Sequence, residues 1–177
     1  MNNGTDRANG TVLLGLGNPI LGDDGVGCRL ADLIGEAVSP SRGVTILSTS
    51  FSPVRLLDDI AGHDRLLVID SVTTGCSEPG TIHRMEPGDP VDDPVPISVH
   101  HLSIPQLLAM GRALGLHMPS SIAIYGIEIR RPEEYGDRLS TPIRERLHDI
   151  AEEIINHEFA NPATDRAGGH PRGEPPS

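Results

Sequence analysis

The strongest constraint on the fold is the alternation of short apolar runs with segments of helical periodicity. Runs rich in Leu, Ile and Val lie at 11–17, 43–49, 65–70 and 121–129, and a shorter strand is expected at 80–85. Segments with helical spacing or helix-start signals lie between and after them, at 26–38, 53–60, 104–114 and 141–157. Continuous apolar strands that alternate with helices are typical of a mainly parallel sheet covered on both faces. The pattern therefore predicts an α/β protein: a three-layer α/β/α sandwich around a mainly parallel, twisted sheet of about five strands.

The length of the chain and the composition of its two ends predict one folded domain between two disordered tails. The chain has 177 residues, which fits one domain with one sizeable core. Residues 1–10 and 161–177 contain much Gly, Pro and Asn and almost no large apolar side chain. Such segments bury too little apolar surface to offset the entropy lost on ordering. We therefore expect one α/β domain at 11–160, with disordered tails at 1–10 and 161–177.

Charge and composition exclude several classes of function. The chain carries 14 basic and 25 acidic residues, a net charge of −11, and only 2% of its residues are aromatic. A protein with so few cations and rings is poorly suited to neutralise phosphates or stack on bases, so we expect no nucleic-acid partner. No Lys is present, which excludes P-loop and Schiff-base chemistry. No apolar run approaches the roughly 20 residues that span a bilayer, so no membrane insertion is expected.

The N-terminus and the cysteines indicate a compartment. Residues 1–10 are polar and do not resemble a secretory signal. Cys28 and Cys76 form neither a CxxC motif nor a disulfide framework, and Cys28 falls in the first turn of a helix, where a core position is expected. Reduced thiols in a cytoplasmic protein are the simplest interpretation.

Carboxylates follow two of the predicted strands. Active sites of parallel α/β sheets lie at the carboxyl ends of the strands. There the sequence places Asp23 and Asp24, between glycines, after the first strand, and Asp70 at the end of the third. The first motif is not a dinucleotide fingerprint, because Ile20 stands where the third Gly is required. Two structural alternatives remain: Asp23 is expected to cap the first helix, and Asp70 could cap the turn that follows it.

Two histidines and one glutamate complete the candidates. His100 and His101 directly precede the helix expected at 104–114. Adjacent side chains of an extended segment point to opposite sides, so at most one of the two is expected to face a site. Asp and His together form an N/O ligand set that suits divalent Ni, Zn, Fe or Mn. Glu128, in the last strand, is interpreted as either site lining or a solvated charge, the second being commoner.

Three motifs together resemble those of a known family. They are GLGNPILGDDGVG at 15–27, VIDSVTTGCSEPG at 68–80 and SVHHLSIPQLL at 98–108. In this order and spacing, and with YGIEI at 125–129 and LSTPIRERL at 139–147, they resemble the [NiFe]-hydrogenase maturation endopeptidases. The resemblance covers about residues 11–158 and implies a phosphorylase/hydrolase-like α/β sandwich.

The resemblance implies an activity and a set of site residues. Members of this family remove a short C-terminal peptide from the hydrogenase large-subunit precursor after nickel has been inserted. Carried over by motif, the metal-contacting residues are Asp24, Asp70 and His100, and the two Asp are the expected catalytic residues of an aspartic-type peptidase. Asn18, Gly25 and His101 are expected to contact substrate, and His101 is also a second candidate for the ligand. The nickel belongs to the substrate and is not a permanent cofactor.

Other consequences and alternatives stay open at this stage. The expected partner is the nickel-loaded large-subunit precursor, and the expected oligomeric state is a monomer. The proline-rich acidic loop at 86–97 is predicted to contact substrate, because it leads into His100. A non-proteolytic nickel or large-subunit chaperone would use the same three ligands. A peptidyl-tRNA hydrolase shares GLGNP, but the Thr-Arg-His-Asn stretch expected after it is absent and the net charge of −11 opposes tRNA binding.

Overall fold

A five-stranded sheet forms the centre of the molecule. In the computed structural model the strands of this sheet are β1 (Thr11–Leu16), β2 (Val44–Thr49), β3 (Arg65–Val72), β4 (Ile82–Met85) and β7 (Ser121–Glu128). Two further strands, β5 (Ser98–Val99) and β6 (Leu102–Ser103), form a separate antiparallel pair. The structure describes residues 10–38, 43–49, 53–85, 98–99, 102–130 and 136–159.

The strand order is β2-β1-β3-β7-β4. β1 pairs in parallel with β2 and β3, and β3 pairs in parallel with β7. β4 joins the edge of β7 in the antiparallel direction. The carboxyl ends of β1, β3 and β7, three adjacent strands, therefore meet at one edge of the sheet.

Four helices cover the sheet. They are α1 (Val26–Ala37), α2 (Pro53–Ile60), α3 (Ile104–Ala113) and α4 (Thr141–Glu158). A short 3-10 turn at Gly22–Gly25 leads directly into α1. No helix in the described part of the chain is both long enough and apolar enough to cross a membrane.

Two apolar cores lie on opposite faces of the sheet. Side chains alternate between the faces along each strand, so Leu67 and Ile69 of β3 pack with α1 and α4, whereas Leu66 and Val68 pack with α2 and α3. Both sets of strand residues are buried. This arrangement confirms the predicted three-layer α/β/α sandwich with its mainly parallel sheet.

The helix α1 lies unusually close to the sheet. A Cβ atom on Gly27 would collide with the carbonyl oxygens of Leu16, the last residue of β1, and of Ile69 in the second half of β3. Only glycine permits this approach at that position. The first turn of α1, and the 3-10 turn before it, are thereby held against the carboxyl edge of the sheet.

Most predicted elements are confirmed to within about two residues at their ends, the usual uncertainty of helix boundaries. The clearest difference is β3, which runs two residues beyond Asp70 to Val72. The β5–β6 pair was not expected, because each strand has only two residues. The loop 86–97 and nearly all of the predicted tails lie outside the described residues, so the expectations about them stay predictions.

Candidate active site

The loop after β1 presents the carboxylate of Asp24. Its Oδ2 accepts the backbone N–H of Asn18 at 2.9 Å, and its Oδ1 accepts the hydroxyl of Ser71 at 2.9 Å. The first bond comes from the same loop and the second comes from the end of β3. Asp24 is therefore oriented by two neighbouring strand ends at once.

Asn18 and Gly25 shape this loop. The Asn18 side chain accepts the N–H of Ile20 at 3.2 Å, which closes an Asx turn. Gly25 is buried, and a Cβ there would lie 2.6 Å from the Cα of Pro19. The two residues thus fold the backbone around Asp24, and a contact of either with substrate stays a prediction.

Asp70 lies near the end of β3 on the face that α2 and α3 cover, since it has the same parity as Leu66 and Val68. Its Oδ1 accepts the N–H of Ser71 at 2.8 Å. Burial, together with the nearby charge of Asp24, raises the pKa of the Asp70 carboxyl to about 7, against the lowering effect of the Ser71 hydrogen bond. A carboxyl whose pKa lies this far above its ordinary value is a candidate functional group, and a cation bound beside it would favour its ionised form.

His100 and His101 lie outside the described residues. They stand between β5, which ends at Val99, and β6, which begins at Leu102 and leads into α3. Among the residues that the structure describes, no three His, Cys, Asp or Glu side chains form a group able to hold a metal ion. The third ligand expected beside Asp24 and Asp70 therefore stays a prediction.

The prediction that Asp23 caps α1 is wrong. Gly25 occupies the N-cap position and no side chain makes the capping bond, because the 3-10 turn separates Asp23 from the helix. Instead the Asp23 Oδ1 accepts the backbone N–H of Ser140, at the start of α4, at 2.6 Å. Asp23 therefore ties the site loop to a distant helix, while Asp24 beside it faces the strand ends.

The commoner interpretation of Glu128, a solvated surface charge, is wrong. Glu128 is 1% exposed, at the carboxyl end of β7. Its carboxylate accepts the N–H groups of Thr74 and Gly75, both at 2.9 Å, and the Thr74 hydroxyl at 2.7 Å, and it lies 3.0 Å from His83 Nε2. Burial pushes its pKa upward, but these hydrogen bonds together lower it below the ordinary value.

This network holds the loop that leaves β3 just beyond Asp70. An acidic residue within an otherwise apolar strand, as in YGIEI, is the sequence signal that could have identified it, because a buried charge must be satisfied by partners. Ser71 was also missed. Nothing in its local sequence indicates that its hydroxyl reaches Asp24.

The cysteines lie as expected. Cys28 is 7% exposed, with its Sγ near the carbonyl oxygens of Gly15 and Gly17. Cys76 is exposed, on the loop anchored by Glu128. Neither forms a disulfide.

A family model described as hydrogenase maturation protease matches residues 28–157. The hydrogenase expression/formation protein HupD of Rhizobium leguminosarum bv. viciae is 31% identical over 140 residues, covering 75% of this chain and 66% of HupD. The hydrogenase 2 maturation protease of Escherichia coli is 27% identical over 122 residues, covering 66% of this chain and 71% of that protein. The matched part of the chain thus spans about two thirds of the length of these relatives.

Solved structures share the fold. The hydrogenase maturating endopeptidase HybD from Escherichia coli superposes with a TM-score of 0.68 at 24% identity, covering 84% of this chain and 91% of HybD. The [NiFe] hydrogenase maturation protease HycI from Thermococcus kodakarensis KOD1 gives a TM-score of 0.66 at 25% identity, covering 84% and 91%.

Proposed function

Because the chain belongs to the hydrogenase maturation protease family, we propose that it is an endopeptidase acting on the precursor of a [NiFe]-hydrogenase large subunit. It removes the C-terminal peptide of the precursor after nickel insertion. The observation that supports this most directly is the pair of carboxylates, Asp24 and Asp70, that Ser71 connects at the carboxyl edge of the sheet.

The nickel arrives with the substrate and is recognised by the site. Two Asp oxygens and one imidazole, from His100 or His101, form a mixed N/O set that suits a divalent transition metal. An incomplete protein set leaves coordination positions for the groups of the precursor that already hold the nickel. A precursor without nickel lacks this attachment point, which makes cleavage depend on insertion.

The same carboxylates supply the chemistry of cleavage. A divalent ion held by these groups would polarise a nearby carbonyl and lower the pKa of bound water. The Asp70 carboxylate, through an oxygen that does not bind the ion, would accept a proton from the attacking water and return it to the leaving amine. Asp24, held by Asn18 and Ser71, keeps a fixed orientation toward the ion.

The cellular compartment and the oligomeric state of the enzyme are also part of its proposed function. Cys28 and Cys76 form no disulfide, which is compatible with a reducing compartment, and we place the enzyme in the cytoplasm. We expect a monomer, since one copy supplies all of the proposed ligands. The precursor is its proposed protein partner.

The test is processing of a co-expressed large-subunit precursor, read as the mass of the large subunit. The variants are Asp24→Asn, Asp70→Asn, His100→Ala and His101→Ala, with Asp32→Asn as the control, since Asp32 is an exposed carboxylate on α1. We expect the mature mass with wild type and control, and the precursor mass with both Asp variants and one of the two His variants. Normal processing by both Asp variants would overturn the site, and a large subunit that is never shortened would identify a chaperone instead.

A further inference from the structure

Ser71 connects the two carboxylates of the site. Its backbone N–H donates to Asp70 Oδ1 at 2.8 Å, and its hydroxyl donates to Asp24 Oδ1 at 2.9 Å. We propose that Ser71 is a positioning residue, which orients Asp24 relative to Asp70 so that both bind one divalent metal ion. This inference rests on the proposed function, because it assigns a role within the same site.

The position of Ser71 in β3 explains how one residue reaches both carboxylates. Asp70 and Ser71 point to opposite faces of β3, but both lie close to its carboxyl end, beside the turn that carries Asp24, and the charge of Asp24 acts on the Asp70 carboxyl there. Asp24 lies in the turn directly before α1, on the side to which the Ser71 hydroxyl points. The hydroxyl thus links the end of β3 to the turn before α1, two elements that are far apart in the sequence.

The hydrogen bond from Ser71 restricts the rotation of the Asp24 carboxylate about its last side-chain torsion. Rotation about the last torsion of an Asp side chain has broad minima, so one hydrogen bond leaves the plane of the carboxylate poorly defined. Asn18 holds Oδ2 and Ser71 holds Oδ1, which defines that plane. Each oxygen accepts one of these bonds and keeps a lone pair for a metal ion.

The arrangement also leaves one oxygen of the Asp70 carboxylate available to bind a metal ion. Within the described residues, the Ser71 amide is the one hydrogen-bond donor to its carboxylate, and it contacts Oδ1. Oδ2 of Asp70 therefore has no competing donor in that part of the chain. Donation to Asp24 further offsets the repulsion between the two charges, which otherwise opposes the ionised pair. Partners of this kind typically change metal affinity by about 10–100-fold.

The test measures binding of Ni²⁺ alone to the purified full chain by isothermal titration calorimetry. The variants are Ser71→Ala, which removes the hydroxyl, and Ser71→Thr, which retains it. Ser48→Ala is the matched control, because the Ser48 hydroxyl also leaves a central-sheet strand but donates to the carbonyl of Cys28 at 3.4 Å. Thermal unfolding without metal reports on folding of each variant.

We expect Ser71→Ala to weaken Ni²⁺ binding about tenfold or more, Ser71→Thr to bind within about threefold of wild type, and Ser48→Ala to be unchanged. Wild-type affinity in Ser71→Ala overturns the proposal, and so does equal weakening in Ser71→Ala and Ser71→Thr. The variant Asp24→Asn distinguishes a failure of the proposed role of Ser71 from a failure of the proposed metal site. If it abolishes binding while Ser71→Ala does not, only the role of Ser71 fails. If it leaves binding unchanged, the metal site of the proposed function fails as well.

Discussion

At the scale of single residues, Asp70 makes the stability of the protein depend on pH. Burial and the charge of Asp24 raise the pKa of its carboxyl from an ordinary value of 3.8 to about 7. Between these two values the folded protein holds a proton that the unfolded chain has lost. Stability therefore falls as pH rises through this window, and above it the buried, ionised carboxylate lowers the stability of the folded state.

Asp70→Asn should remove this cost, since the amide is nearly isosteric and its Oδ1 still accepts the Ser71 N–H. We expect the variant to be more stable than wild type at pH 8, and its advantage to grow by about 1–3 kcal/mol between pH 5 and pH 8. Urea denaturation at the two pH values, with metal removed, measures this. Asp32→Asn, at an exposed carboxylate, is the control. A constant difference between Asp70→Asn and wild type across this range would contradict the prediction.

At the scale of elements, β7 and the loop after β3 form one unit. Glu128 on β7 accepts bonds from Thr74 and Gly75, and its backbone continues the pairing through Gly80 and Thr81. The loop that begins just beyond Asp70 is thus fastened to the neighbouring strand. The anchor is a buried carboxylate, which is stable only while its donors remain in place.

Glu128→Ala should destabilise the protein by about 2–4 kcal/mol at pH 7, because two amides and His83 lose their acceptor. The pKa of Glu128 is lowered in the folded state, so its stabilising effect is complete above the unfolded pKa and is lost as pH falls through the folded value. The gap between variant and wild type should therefore narrow in acid. Denaturation curves at pH 7 and pH 4 test this, with Glu153→Ala on the exposed side of α4 as the control. An equal cost for both substitutions would argue against the anchor.

At the scale of the whole molecule, the site joins distant parts of the chain. Asp24 comes from the loop after β1, Asp70 from β3, and the Asp23 contact with Ser140 connects that loop to α4. Backbone bonds from Gly22 to Gly136 and from Gly136 to Ile20 strengthen the same connection. The two carboxylates of the Asp23–Asp24 pair thus have separate tasks, one holding the loop and the other facing the site.

Asp23→Ala should loosen this connection without removing a proposed ligand. We expect faster hydrogen exchange at the Ser140 amide, a stability loss of about 1 kcal/mol, and Ni²⁺ binding that is weakened but not abolished. Hydrogen exchange followed by NMR measures the first effect directly. Ser140→Ala is the comparison, since the Ser140 side chain makes no capping bond, and it should leave exchange at this amide nearly unchanged. Unaltered exchange in Asp23→Ala would mean that this contact does not hold the loop.

The sequence by itself determined the layers of the fold and the edge of the sheet at which Asp24 and Asp70 meet. Apolar runs such as the one ending at Asp70, and helical spacing such as that of α1, reflect interactions within a few residues along the chain, so they can be read locally. A parallel sheet then brings strand ends to one edge, which placed Asp24 and Asp70 together in advance.

Only the tertiary structure decided which partner each polar group takes. Asp23 bonds Ser140, which is 117 residues away, Ser71 reaches Asp24 across 47 residues, and Glu128 meets Thr74 across 54. No local pattern encodes these pairs, because a carboxylate at a strand end or helix start has similar neighbours whether it caps, anchors or faces a site. Its role follows from the donors that the packed elements bring to it, and from the burial that makes each of those bonds obligatory.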